Sequence, residues 1–378
     1  MPSIQVEPVK SRRALREFVR FPWKVYRGDR NWVPPVISER MQYLDPRTGP
    51  YHSHADIELL VARRGREVVG TVAAFVDHTP NAQTQQAGAG FGFFETIEEY
   101  EAARHLLDAA CAWARARGMR QMRGPTSFSD NDCPGVLVEG TSCPPVMLEA
   151  HTPLYYQEFL HRYGMEKADD LFAWRVSREQ IGRELQNLPA QLVRVADVAH
   201  RSTMASIRSL RMEQWDAEIG LAYSLFATTL HNLFQRTPYP EAEFRQMAGR
   251  LRPLLDPDLA LIAEVGGRPV GLLVAIPDIN QVLIHINGRM WPFGWWKARQ
   301  AMGKIDTVSF KLMGVLEEFR RRGIDALLYL EAVKRFYEKG YTWLDGSVTS
   351  ETNTVINLIA ARFGAERYKH FRIFQITL

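Results

Sequence analysis

HTPLYYQEFLHRYGMEKADDLFAWRV, residues 151–176, lies over ETNTVINLIAARFGAERYKHFRIFQI, residues 351–376, with a shift of 200 residues and no gap. Arg162, Gly164 and Glu166 fall on Arg362, Gly364 and Glu366, while Tyr163, Lys167, Leu171 and Trp174 meet the similar Phe363, Arg367, Phe371 and Phe374. Both stretches read as a helix, a glycine stop and a closing strand. Two further matches lie upstream in the same order. HLLDAACAWARARGMRQMRG (105–124) and LLYLEAVKRFYEKGYTWLDG (327–346) are each an amphipathic helix, a glycine and a strand, with Gly118 on Gly340 and Gly124 on Gly346. DIELLVARRGREVVGTVAAFV (56–76) and DLALIAEVGGRPVGLLVAIP (258–277) are each two β-branched runs around a glycine turn of hairpin type. Helix, glycine, strand is a common rhythm, but three matches in one order indicate an internal duplication.

Each half therefore predicts helix, hairpin, strand, helix, strand, helix, strand, an α/β alternation with helices packed on a mixed sheet. A chain of 378 residues suits two such domains, which we expect at 1–190 and 200–378, joined through a polar stretch near 177–205 that contains a linking helix. At 46% hydrophobic and 24% charged residues the composition is globular. Net charge is only +4, which speaks against a nucleic-acid partner. Cys111, Cys133 and Cys143 are an odd set without metal-ligand spacing, so neither a metal nor a disulfide framework is expected. The N-terminal MPSIQVEPVKSRR lacks an apolar signal core, and no apolar run approaches the roughly 20 residues of a membrane helix. A cytoplasmic protein without integral membrane association is the expectation.

In the second half, TVSFKLMGVL (307–316) reads as a buried strand, and EEFRRRGIDALLYLEAVKRFYEKG as a turn opening into a helix whose apolar face is Leu327, Leu330, Val333 and Phe336 or Tyr337. A strand that passes through a glycine loop into a helix N-terminus aims free backbone N–H groups at one point, which favours an anion. Gly323 permits close backbone approach, and Arg320, Arg321 and Arg322 supply positive charge. From these residues alone, an ordinary helix start with solvated arginines reads equally well.

GVLEEFRRRGIDALL resembles the acyl-CoA loop of the GNAT superfamily of N-acyltransferases: arginine or glutamine, two residues, glycine, one residue, glycine or alanine. The resemblance covers roughly 206–378, and the first half through the repeat. With GFGFFE (90–95) and GPTSFSDND (124–132), the whole chain resembles a group of bacterial tandem GNAT-like proteins. It implies two tandem GNAT-like units, each a mixed, mostly antiparallel sheet flanked by helices. It implies acetyl-CoA or a longer acyl-CoA held by Val315, Arg320, Arg321, Arg322, Gly323, Ile324, Asp325, Ala326 and Asn353, with the backbone of Val315 aligning pantetheine. Two positions depart from the pattern. Asp325 stands where glycine or alanine is usual, and Ala360 where many members carry a tyrosine that protonates the leaving thiolate. The first half has no arginine–glycine loop, and we read Glu95, Glu98, Glu99 and Glu101 as lying at its helix start, where they repel phosphate; this copy is expected to have lost CoA binding.

On YTWLDGSVT, strand alternation puts Trp343, Asp345 and Ser347 on one face and Leu344 and Val348 on the other. Such polar groups either bond to neighbouring chain or line the acyl-transfer centre. In the second reading Asp345 is the base that deprotonates an attacking amine, with Ser347 or Glu351 relaying through water. The insertion HINGRMWPFGWWKARQAMGKID (285–306) sets Asn287, Trp295 and Trp296 among aromatic and basic neighbours. It suits a lid over an acyl chain, a rest on a membrane surface, or a helix packed on its own sheet. SFSDNDCPG (127–135) suits a second cleft or plain turn chemistry. The leading function is acyl-CoA-dependent transfer to an amine on a small-molecule or acyl-chain substrate. The alternatives are a non-catalytic GNAT-like ligand-binding protein and a Fem-type transferase using aminoacyl-tRNA.

Overall fold

The computed structural model describes residues 3–78, 81, 87–129, 132–234 and 240–378. The first half contributes strands β1 (Ile4–Pro8), β2 (Ala55–Arg64), β3 (Glu67–Asp77), β4 (Gly88–Thr96), β5 (Gln121–Gly124), β6 (Val136–Glu139) and β7 (Glu166–Ser177). The second contributes β8 (Ser206–Ser209), β9 (Ala260–Val265), β10 (Arg268–Pro277), β11 (Thr307–Val315), β12 (Trp343–Ser350) and β13 (Glu366–Thr377). All three repeat matches are found as elements of the same type and order. The glycines that end the helices, Gly118, Gly164, Gly340 and Gly364, have φ between 72° and 94°, the left-handed backbone that a side chain resists. Each half also opens on a short edge strand, β1 or β8, which the repeat does not reveal. The expected linking helix is Ala190–Thr203.

The strands form one continuous sheet in the order β1-β2-β3-β4-β5-β13-β7-β12-β11-β10-β9-β8, with β6 also on β13. The two closing strands are therefore exchanged: β13 lies beside β5 of the first half, and β7 beside β12 of the second. β7 and β13 are antiparallel neighbours at the centre, and one rung of their ladder is Leu171 opposite Phe371. These two residues are also equivalent in the 200-residue repeat, so a pseudo-twofold axis passes through that rung. The exchange reaches the cores. Phe374, from the second half, is fully buried among Val72, Phe91, Leu106 and Tyr156 of the first, where a large apolar side chain contributes about 1.5–3 kcal/mol by burial.

Helix Tyr100–Arg115 packs on the first half through Ala103, Leu106, Leu107, Ala110 and Ala114, a spacing of three and four. In the second half, helix Ile324–Glu338 buries Ile324, Leu328, Ala332, Val333 and Phe336. The line expected through Leu327 and Leu330 is thus turned by about one residue, with both leucines half-buried. The helix is covered on a second flank, because Ala190–Thr203 packs against its start: a Cβ on Gly323 would sit 2.9 Å from Ala199 Cβ and 3.0 Å from Val195 O. Glu95 is also not at a helix start. It lies on β4, accepts a 2.7 Å bond from the Tyr156 hydroxyl, and burial raises its pKa to about 7. Glu99 pairs with Arg64 and Glu101 with Arg104. Among the described residues, no helix is long and apolar enough to cross a membrane.

Candidate active site at the divergence of two strands

β11 and β12 run parallel but pair only through Thr307–Ser309 and Trp343–Asp345. Beyond that point β11 continues along β10, whereas β12 continues along β7, with its register broken between Asp345 and Val348. The strands separate and leave a wedge in the sheet. A cavity of about 90 Å³ occupies it, lined by Phe310, Tyr329, Leu344, Gly346, Ile356 and Ala360 among others. The same divergence occurs between β4 and β5, but there the chain itself fills the gap: Thr126 N donates to Phe91 O at 3.0 Å, and a Cβ on Gly92 would overlap Thr126 O. Of SFSDNDCPG, residues 130 and 131 lie outside the described residues.

At the far end of β11, Val315 is buried and its carbonyl accepts a bond from Arg320 Nε at 3.2 Å; Arg320 Nη2 reaches Thr229 O at 3.1 Å. Arg320 thus fastens the strand end to helix Trp215–Phe234. Arg321, with φ 61°, and Arg322, over the Phe319 ring, are exposed and leave two cations at the loop. Gly323, φ 77°, opens the helix, and no side chain caps it. The first amides of Ile324, Asp325 and Ala326 have no side-chain cap, at a helix start against which Ala190–Thr203 packs. Asp325 is half-buried in that first turn and is not the cap. Asn353 caps helix Thr354–Arg362 instead, accepting from Ile356 N at 3.4 Å.

Asp345 is buried beside the point of divergence. It accepts from Ser309 Oγ, from Ser347 N at 3.0 Å and from Tyr368 Oη at 2.9 Å. Ser347 does not continue the alternation of the strand. It has φ 60°, and the resulting bulge sends Val348 to the cluster of Leu137 and Phe371 while Leu344 stays with Leu328 and Phe336. Ser347 Oγ lies 3.4 Å from Lys311 Nζ. Glu351 is held by Lys167 at 2.7 Å, in a separate surface pair.

Residues that the sequence reading missed complete the site. Glu149, from the loop before helix Tyr155–Arg162 of the first half, is buried and lies 3.2 Å from the same Tyr368 hydroxyl. Burial, and next the Asp345 charge, push its pKa well above the carboxylate range. Tyr368 is raised as well, by burial and then by Asp345 and Glu149. Asp278 accepts from Met147 N at 3.0 Å and tethers this loop to the second half; burial brings it to about 6. Lys369, its pKa lowered by burial, donates to Gly140 O and Cys143 O at 2.9 and 2.8 Å. Two carboxyls thus flank one hydroxyl, which has a single proton to give. The signal for Glu149 was a lone acid in the apolar, proline-bracketed run PPVMLEAHTP (144–153).

The insertion lies elsewhere. Asn287, with φ 47°, accepts from Trp23 Nε1 at 2.7 Å, and Trp295 and Trp296 are exposed rather than lining the wedge. Among the described residues, no group of three or more His, Cys, Asp or Glu side chains is placed to hold a metal.

No family model matches the chain. It is 30% identical over 367 residues to protein YghO of Escherichia coli, covering 96% of this chain and 92% of that protein. It is 29% identical over 388 residues to the bacterial ceramide synthase of Caulobacter vibrioides, covering 99% and 98%. A solved tandem GNAT protein from the clavulanic acid biosynthesis pathway superposes with TM-score 0.59 at 11% identity, over 99% of this chain and 98% of that one. A GCN5-related N-acetyltransferase from Sphaerobacter thermophilus does so with TM-score 0.53 at 12% identity, over 99% and 95%. Such low identities establish the shared fold: two tandem GNAT-like units.

Proposed function

The chain belongs to the family of E. coli protein YghO, and on that premise we propose that it is an N-acyltransferase that moves an acyl group from acyl-CoA to an amine. The observation that carries this reading is the Glu149–Tyr368–Asp345 cluster at the divergence of β11 and β12. The uncapped helix start with Arg321 and Arg322 suits the CoA phosphates, and the wedge suits the pantetheine arm. Ala360, in place of a tyrosine, widens the wedge. The filled gap beside Thr126 fits a first half that binds no CoA. The name of the Caulobacter relative suggests the acceptor class, a long-chain amino alcohol, since a ceramide is the N-acyl derivative of one.

In the reaction the amine nitrogen attacks the thioester carbonyl, the C–N bond forms, and the C–S bond breaks with its electron pair going to sulfur. An ammonium must first lose a proton. A carboxylate of ordinary pKa is a feeble base for that task, and Glu149 is raised towards the working range. Asp345 accepts from Tyr368 Oη and keeps it oriented between the two carboxyls. A thiolate of pKa about 8.5 can be protonated by solvent, which makes the missing tyrosine tolerable. Asp325 at the helix start and Ala360 in place of a tyrosine favour one competing reading, a binding protein without turnover.

The test is to incubate the purified protein with acyl-CoAs from acetyl to palmitoyl and a panel of short and long amines, following free thiol and amide mass. Amide formed with release of CoA is expected. CoA bound without turnover would select the binding protein, and no CoA bound in native mass spectrometry would overturn both.

A further inference from the structure

The insertion between β10 and β11 displays an apolar surface that none of the described residues covers. Trp291 is 80% exposed, Phe293 71%, Trp295 52%, Trp296 51% and Met290 42%, all within residues 290–296. Single exposed apolar residues are ordinary, whereas a contiguous set marks an interaction surface. The set is held in place from beneath. Trp295 N donates to Met290 O at 2.9 Å, Gly294 lies against Arg289 O too closely for a Cβ, and Gly288 packs on Trp23 of the first half. The aromatics are thus presented by a fixed turn and by helix Gly294–Met302.

Charge selects the occupant. Arg289, Lys297, Arg299 and Lys304 surround the aromatics and are exposed, and none is in an ion pair among the described residues; residues 279–305 contain no Asp or Glu. We propose that this surface docks the protein on an anionic lipid bilayer, with the aromatic rings at the headgroup level and the four cations on the lipid phosphates. Tryptophan is suited to that depth, since its ring is apolar and its N–H polar, and flanking Lys and Arg are drawn to anionic headgroups. A second copy of the chain fits less well. A twofold contact would bring like charges together, and protein interface cores are poor in lysine. The inference stands independently of the acceptor assigned above, and it describes a peripheral contact without a membrane span.

The experiment is flotation of the full chain with vesicles of phosphatidylcholine alone or mixed with phosphatidylglycerol, at low and high salt. Binding to the anionic vesicles, released by salt, is expected, with a blue shift of tryptophan emission. The combined Trp291→Ser, Phe293→Ser, Trp295→Ser and Trp296→Ser variant should not float, while its melting temperature stays at the wild-type value because these side chains are exposed. Lys297→Glu with Arg299→Glu should weaken binding by at least about tenfold. Absence of wild-type binding to anionic vesicles, or undiminished flotation of the four-site variant, would overturn the proposal. So would concentration-dependent self-association that the same substitutions abolish, which would assign the surface to a second copy.

Discussion

Glu149→Gln separates a catalytic role from a structural one. Glutamine keeps the shape of the side chain and an oxygen to accept from Val146 N, 3.3 Å away, but it cannot ionise. Burial and the Asp345 charge raise Glu149 above its ordinary 4.5, so between 4.5 and the raised value the folded protein holds a proton that the unfolded chain has released. A raised carboxyl favours folding fully below pH 4.5, and that contribution is lost as pH climbs through the folded value. Each unit of elevation costs about 1.4 kcal/mol once the group ionises in both states. The variant escapes that cost. Its melting temperature, at or below wild type near pH 5, should gain on wild type as pH rises towards 9. Turnover should meanwhile fall by roughly 10²-fold or more, as for removal of a general base. Acyl-CoA affinity should hold, because Glu149 does not line the wedge. Thermal unfolding in a pH series, thiol release and calorimetry measure the three quantities. Full turnover in the variant would refute the assignment of the base. A variant that loses stability relative to wild type as pH rises would refute the electrostatic account of Glu149.

Ala360→Phe should fill the cavity of about 90 Å³ and weaken acyl-CoA binding by at least about tenfold with little change in melting temperature, read by calorimetry. Arg322→Glu should weaken CoA binding without destabilising the fold, whereas Arg320→Ala should lower the melting temperature because it releases the carbonyls of Val315 and Thr229. Phe374→Ala should cost about 3–5 kcal/mol in urea unfolding, and the loss should appear in hydrogen exchange of Tyr100–Arg115, in the half to which Phe374 does not belong by sequence. Asp77, and then Glu243 of the second half, raise His54 from 6.5 to about 10, so its tie between the halves is present below pH 6.5 and is lost as pH rises through 10. His54→Gln should flatten the melting profile over that interval.

The duplication and the α/β class were legible because the hairpin, the helix–glycine–strand and the closing helix–glycine–strand recur in one order in both halves, the last of them without a gap. Asp345 was singled out as a carboxylate on β12, whereas its partners Ser309 and Tyr368 lie on other strands and were not readable from the sequence. The exchange of β7 and β13 was not, because alternation along Glu366–Thr377 is equally satisfied beside β12 or β5, and pairing partners are distant in sequence. Glu149 was missed for the same reason. Its chemistry arises only when a loop of one half meets Tyr368 from the other, while at the level of sequence it is one acid between two prolines. Ser347 shows a local limit: one left-handed residue inverts the facing of everything after it, and strict alternation placed Val348 with Leu344 when the bulge parts them.

The rung of Leu171 and Phe371 has a consequence for how such a chain can change. About a true twofold axis every substitution appears twice, so a dimer cannot surrender a ligand loop on one side while retaining it on the other. Fusion of the two copies removes that constraint, and the departures fall as it allows: the copy whose gap is plugged by Thr126 is the one that sends Glu149 across the axis. Each half holds a part that the other lacks, one the loop with its exposed arginines, the other Glu149. Neither can drift freely afterwards, because each now completes a sheet, and one of them a site, that lies in its sibling.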